Sequence, residues 1–271
     1  MIFDTHAHYD DERFDEDRER LLGSMEELGV SHIVNIGASI EGCRDTAALV
    51  KKYPGRVFGA VGIHPEYAGS LNEETAEEVR ALSREEGIVA IGEIGLDYAE
   101  EFAEPEERER NHRLQREWFE RFLLLAREER KPVMIHSRDA ADDTLRLIRR
   151  HTETARREGS FRGGVIHCFS YSPELAEEYV RLGYHLGIGG VLTFKNAKRL
   201  PEVVERIPLS RLVLETDCPY LAPVPFRGKR NESSYLRYVA ERLAEIKGIS
   251  IDEVEAATEA NAWRLIHGVL E

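Results

Sequence analysis

The sequence has 271 residues, 42% hydrophobic and 32% charged, with 37 Lys and Arg against 51 Asp and Glu for a formal charge of −14. That length permits two modest domains or one large α/β barrel, and the hydrophobic share supplies a core that excludes disorder for most of the chain. The acidic balance excludes a surface that coats nucleic acid broadly, because phosphate neutralisation needs clustered Lys and Arg, and leaves room only for a small local basic site. Cys43, Cys168 and Cys218 show no short metal-ligand spacing and are too few for a disulfide framework. The N-terminus carries charge within its first residues instead of an apolar leader, and no apolar run approaches the ~18 residues of a membrane span. A soluble, cytoplasmic protein with no membrane partner is expected.

Strand-like runs occur at residues 2–5, 33–36, 57–63, 88–91, 133–135, 164–166, 185–188 and 212–215. Segments with helical periodicity separate them. Leu114, Trp118, Phe122 and Leu125 recur at spacings of four, four and three, which places them on one helix face. Ser172, Pro173 and Glu174 read as N-cap, first helical position and acidic first turn. Residues 222–230 form a loop holding Pro223, Pro225 and Gly228, and helices at 232–247 and 251–267 follow, with Asn261 packing or capping locally. Eight strands, each followed by a helix, predict a single-domain TIM (β/α)8 barrel over residues 1–271. A doubly wound open sheet shares this alternation and stays open as an alternative.

The chemistry gathers at strand ends. His6 and His8 project from one face of the first strand, since residues i and i+2 share a face. Glu93 follows strand four, His136 strand five, His167 strand six and Asp217 strand eight. In a barrel these ends converge on one mouth, so six metal-ligand candidates meet there, whereas a set of unrelated histidines and capping carboxylates requires the same coincidence of position repeated around the ring. Asp4 and Glu215 precede His6 and Asp217 by two residues and point the same way, deeper in the barrel. Asp4 is expected to accept from the His6 ring, and Glu215 to relay protons or to sit as a buried polar group.

The segments Thr5-His6-Ala7-His8, Gly92-Glu93-Ile94-Gly95-Leu96-Asp97-Tyr98, Ile135-His136-Ser137-Arg138-Asp139-Ala140, His167-Cys168-Phe169-Ser170 and Glu215-Thr216-Asp217-Cys218-Pro219-Tyr220-Leu221, in this order, resemble the TatD family of metal-dependent deoxyribonucleases. The resemblance implies two divalent ions, one held by His6, His8 and Asp217, the other by His136 and His167, with Glu93 bridging. Imidazole suits Zn and carboxylate suits Mg or Mn, so the metal stays open. Asp217 is further expected to accept the proton of an attacking water, with Glu93 and Glu215 in supporting catalytic roles. His64, after strand three, is a candidate for substrate phosphate or bound water, or a structural ring under Pro65. Where relatives commonly carry a second histidine after the proline, this chain has Pro65-Glu66-Tyr67.

Arg227, Lys229 and Arg230 place three cations in four residues and are expected to bind substrate phosphate and, together with two bound dications, to make the mouth electropositive on an acidic protein. Asn231-Glu232-Ser233 lacks the proline that follows the glutamate in relatives. Arg138 orients substrate and Asp139 caps the next helix in this reading. Cys168 and Cys218 point away from their neighbouring ligands as packing residues, and His32, His112, His151, His185 and His267 are structural or surface groups.

The expected activity is hydrolysis of phosphodiester bonds in single-stranded or frayed DNA, acting as a 3′–5′ exonuclease with weak binding. The alternatives are hydrolysis of an ester or amide, such as an aminoacyl ester on RNA, and a non-catalytic metal-stabilised binding protein. A monomer or small homo-oligomer is expected. A single glutamine, Gln115, among many Arg and Glu suits a heat-tolerant chain.

Overall fold

The computed structural model describes residues 1–267. Its strands are β1 (Ile2–Ala7), β2 (Val30–Gly37), β3 (Val57–Val61), β4 (Ile88–Asp97), β5 (Val133–Arg138), β6 (Gly164–Ile166), β7 (His185–Ile188) and β8 (Leu212–Leu214). They form one sheet in sequence order, every neighbouring pair parallel. The uninterrupted order excludes the doubly wound alternative, whose strand order must reverse at a switch point. The ring closes where Ala7 bridges Cys218 in parallel, with His8 N–H donating to Cys218 O and Asp217 N–H to His6 O. The fold is the expected α/β barrel of the TIM type.

The helices are α1 (Arg18–Gly23), α2 (Ile40–Lys52), α3 (Glu73–Ser83), α4 (Pro105–Glu128), α5 (Ala141–Glu158), α6 (Pro173–Leu182), α7 (Arg199–Arg206), α8 (Leu236–Lys247) and α9 (Ile251–Ile266). Their boundaries follow local chemistry. Ser172 caps α6 by accepting from Leu175 N–H, with Pro173 at its first turn, and Gly183 ends it in the left-handed conformation. Ser250 and Glu253 form a reciprocal capping box at α9. On α4 the predicted stripe buries Trp118, Phe122 and Leu125, each contributing ~2 kcal/mol of hydrophobic stabilisation. The Trp263 ring of α9 meets Phe3, His32 and Phe58, all near the starts of their strands. This helix therefore plugs the end of the barrel opposite the strand C-termini, and Asn261 ties it to the lead of β8 through Leu209 O and Leu212 O.

Several boundaries depart from the sequence reading. The predicted strand 88–91 continues to Asp97 and 133–135 to Arg138, so Glu93 and His136 lie inside strands, while β3 stops at Val61 and leaves His64 in the following turn. In three dimensions Gly95 lets β4 approach β5, since a Cβ there would meet His136 O at 1.9 Å. The helix expected from residue 232 starts at Leu236, after a single 3-10 turn over Ser233–Tyr235.

Candidate metal centre

Six side chains from five strands or strand ends converge inside the barrel mouth. The two oxygens of Glu93 face different partners. Its Oε2 lies 3.5 Å from His6 Nε2 and 3.8 Å from His8 Nε2. Its Oε1 lies 3.0 Å from His136 Nδ1, 3.9 Å from His167 Nε2 and 4.0 Å from His64 Nε2. Asp217 Oδ1 adds a ligand on the first side, 3.4 Å from His8 Nε2 and 3.6 Å from His167 Nε2. Three groups have ligand atoms close enough to share a cation: His6, His8 and Asp217; His6, Glu93 and His167; and His64, Glu93 and His136.

One contact tests whether these residues fit a metal. His6 Nε2 and His8 Nε2 stand 3.2 Å apart, closer to each other than either is to a carboxylate oxygen. Two imidazole lone pairs cannot face each other at that distance unless a proton or a cation lies between them. The other nitrogen of His8, Nδ1, is held by Ile36 O at 2.9 Å, so Nε2 is the atom left to ligate. The His6 ring stacks on His167 with centroids 3.5 Å apart, which packs nitrogen donors densely without letting both rings carry charge.

The surrounding field favours positive charge. Burial works against the imidazolium of His8, but Asp217 and Glu93 push it up to about 9. Burial likewise opposes charge on His136 and His167, yet Asp97 and Glu93 raise the first to about 9, and Glu215 and Asp217 raise the second to about 10. His6 is lowered, by burial and by its stacked neighbour His167. Burial alone would raise Glu93, and the histidines around it hold its carboxyl well below the usual range. Asp217 is lowered in the same way by His167 and His8 against its own burial. This donor set fits divalent cations, which would replace the protons that the carboxylates otherwise draw onto the rings.

The sequence matches the family described as TatD related DNase over residues 3–267. The chain belongs to the TatD family. It is 40% identical over 265 residues to the uncharacterized metal-dependent hydrolase YabD of Bacillus subtilis, covering 98% of each chain. It is 34% identical over 270 residues to the 3′-5′ ssDNA/RNA exonuclease TatD of Cronobacter sakazakii, covering 97% of each. The crystal structure of YJJV, a TatD homologue from Escherichia coli K12, superposes with a TM-score of 0.86 at 31% identity over 97% of both chains. The protein is a metal-dependent hydrolase of this family.

Within this TatD barrel the remaining expected residues take varied places. Glu215 lies beneath the mouth, accepts from Cys168 N–H, and stands 3.0 Å from His167 Nδ1, off the line of a good hydrogen bond. It lies against the ring and does not line the mouth. Its buried carboxylate fits because β7 carries Gly187 alongside, where a Cβ would meet Glu215 Oε2 at 2.0 Å. Asp4 does not accept from the His6 ring. It takes the His6 backbone N–H, both donors of Thr216 and the Ser233 hydroxyl, so it ties β1 to the segment after β8, and burial raises it to about 6. His64 accepts from Glu66 N–H through Nδ1 at the turn after β3, and its ring stands with Glu93 and His136 in a group close enough to share a cation.

The cationic loop is engaged elsewhere. Arg230 forms a two-pronged pair with Asp17 at 2.7 Å for each bond and covers the Phe14 ring. Arg227 lies over Phe194 and Lys229 over Phe226. None of the three lines the mouth, whose single Lys or Arg is Arg138 against six Asp and Glu. The mouth is therefore acidic before metal binds, and the positive charge expected from the loop lies away from it. Asp139 sits at φ +53° and makes no side-chain cap at α5, whose N-cap is Ala140. Cys168 does line the mouth, because the chain leaves the strand geometry at φ +46°, but burial and Asp217 keep its thiol protonated. Sequence reasoning also passed over Asp97, whose Oδ2 is 2.9 Å from His136 Nε2. The spacing of Asp97 four residues after Glu93 on an extended strand was the available signal.

Proposed function

We propose that this protein hydrolyses phosphodiester bonds at the ends of single-stranded DNA, working from the 3′ end with two divalent ions. The observation that carries the reading is the division of Glu93, one oxygen toward His6 and His8, the other toward His136 and His64. A carboxylate shared in this way suits paired cations, and the 34% relative named as a 3′-5′ ssDNA/RNA exonuclease supports the choice of bond. When bound, such a pair supplies a water of lowered pKa and neutralises charge on phosphoryl oxygens.

The chain's own groups do the rest. Asp217 is the more open of the two central carboxylates, its side chain 19% exposed against 5% for Glu93. Ionised by its histidine neighbours, it accepts the proton of the attacking water at a carboxylate oxygen. Asp97 and the Ile36 carbonyl keep His136 and His8 turned so that Nδ1 of the first and Nε2 of the second face the centre. Burial of Glu93, His6 and His167 excludes bulk water from the floor.

The test couples metal analysis to activity on single-stranded DNA labelled at the 5′ or 3′ end, with Mg, Mn or Zn, beside aryl ester and amide substrates. Stepwise shortening of the 5′-labelled strand supports the reading. Intact DNA under conditions where a control nuclease cuts, or selective turnover of the ester, overturns it.

A further inference from the structure

The mouth has too little positive charge to hold a strand by its phosphates, and this raises the question of what supplies affinity. Six carboxylates line it against Arg138, and two dications bring the balance only near neutrality. The same rim carries a feature of the opposite kind. Of the few large apolar side chains left exposed among the described residues, Tyr67 (42%), Tyr220 (48%) and Leu221 (37%) all line this one opening.

The two tyrosines are placed alike. Tyr67 N–H donates to His64 O at 3.0 Å, and Tyr220 N–H to Asp217 O at 2.8 Å. Each ring is thus carried three residues beyond a metal-centre side chain by a tight hydrogen-bonded turn, one after β3 and the other after β8. Tyr220 is also backed. The Arg13 guanidinium lies 4.1 Å from its ring centroid and is itself clamped by Asp11 through bonds of 2.9 and 2.8 Å. One face of the ring is thereby supported and its orientation held, at little further entropic cost on binding.

We propose that Tyr67 and Tyr220 form a nucleobase-stacking subsite that grips the terminal bases of a single strand while its scissile phosphate lies at the metal centre. The inference rests on the phosphodiesterase reading and adds the recognised group: the base face, not the backbone charge. Every base has a π face, so the subsite tolerates any sequence, and a paired base in a duplex, already stacked, is a poor ligand.

The experiment uses the full-length, metal-loaded protein and a fluorescein-labelled single-stranded oligothymidylate carrying a non-hydrolysable phosphorothioate backbone, followed by anisotropy. A second strand of equal length has abasic deoxyribose at its three terminal positions. The wild type is expected to prefer the base-bearing strand, and Tyr67→Ala or Tyr220→Ala to weaken that strand about tenfold each, with Tyr→Phe restoring it. In hydrolysis of the unmodified strands the loss appears in KM and not in kcat. Equal binding of the two strands by the wild type, or alanine variants that weaken both strands alike, overturns the subsite. A wild type that cleaves no oligonucleotide overturns the phosphodiesterase reading itself, whereas cleavage without base preference overturns only the subsite.

Discussion

His136 Nε2 lies 2.9 Å from Asp97 Oδ2, while His136 Nδ1 lies 3.0 Å from Glu93 Oε1. The ring therefore has one nitrogen for the metal centre and one for an orienting carboxylate, both supplied by β4. Asp97 is in turn bracketed by the buried side chain of Gln115 on α4, which accepts from its N–H and donates to its carbonyl, each at 2.8 Å. Asp97→Asn is expected to lower metal affinity about 10- to 100-fold, as removal of such partners does. Metal titration by calorimetry measures this, with circular dichroism as the check on folding, and an unchanged affinity would contradict it.

Gly187 leaves the space that the Glu215 carboxylate fills. Gly187→Ala would put a Cβ 2.0 Å from Glu215 Oε2. The expected result is a fall in metal affinity of at least about tenfold as His167 loses its support, together with ~1–3 kcal/mol of destabilisation from overpacking. Metal content after dialysis and a urea unfolding curve read the two effects separately, and a variant that keeps wild-type metal content refutes the role given to Glu215.

Arg230 closes the loop after β8 onto the turn before α1 by its pair with Asp17. The pair is partly exposed, so Arg230→Ala is expected to cost only about 1 kcal/mol. Because its guanidinium is engaged away from the mouth, KM for single-stranded DNA should stay within about twofold of the wild type, well inside 1 kcal/mol. A large rise in KM with unaltered stability would return Arg230 to the substrate.

Acid stability offers a test away from the metal centre. Burial, aided by Arg127, lowers His151 to about 4, and burial with Arg211 and Arg264 lowers His185 to about 4. Between the ordinary histidine value and pH ~4 the unfolded chain binds protons that the folded chain refuses. Stability is therefore present above about pH 6.5 and lost as pH falls through that window, on the order of 2–3 kcal/mol for each histidine. Urea midpoints between neutral pH and pH 4 should drop, and His151→Gln should flatten the acid limb. An identical limb in the variant would rule His151 out.

Much of the site was legible in sequence because its chemistry is tied to strand ends. The six expected ligands, His6, His8, Glu93, His136, His167 and Asp217, all reach one mouth, since parallel strands in a closed ring must deliver their C-terminal ends together. The extent of β4 and β5 was not legible, and only the close approach to β5 shows why glycine is required at Gly92 and Gly95. Gln115 drew attention as the chain's lone glutamine, and the fold gives it a specific place, bracketing Asp97.

By itself the sequence determined the alternation of strand and helix, the N-cap of α6 and the apolar stripe of α4, and it marked six candidate metal donors that the barrel brings together. These depend on neighbours within a few residues or on repeating position in a symmetric fold. Tertiary structure alone decided the grouping of donors, with His64 drawn to Glu93 and His136. It also decided that Asp4 serves the backbone and that the cations of residues 227–230 are engaged by Asp17, Phe194 and Phe226. A side chain's partner is set by what the barrel brings across from distant segments, and a run of charge in sequence carries no record of which counter-ion or ring it will meet.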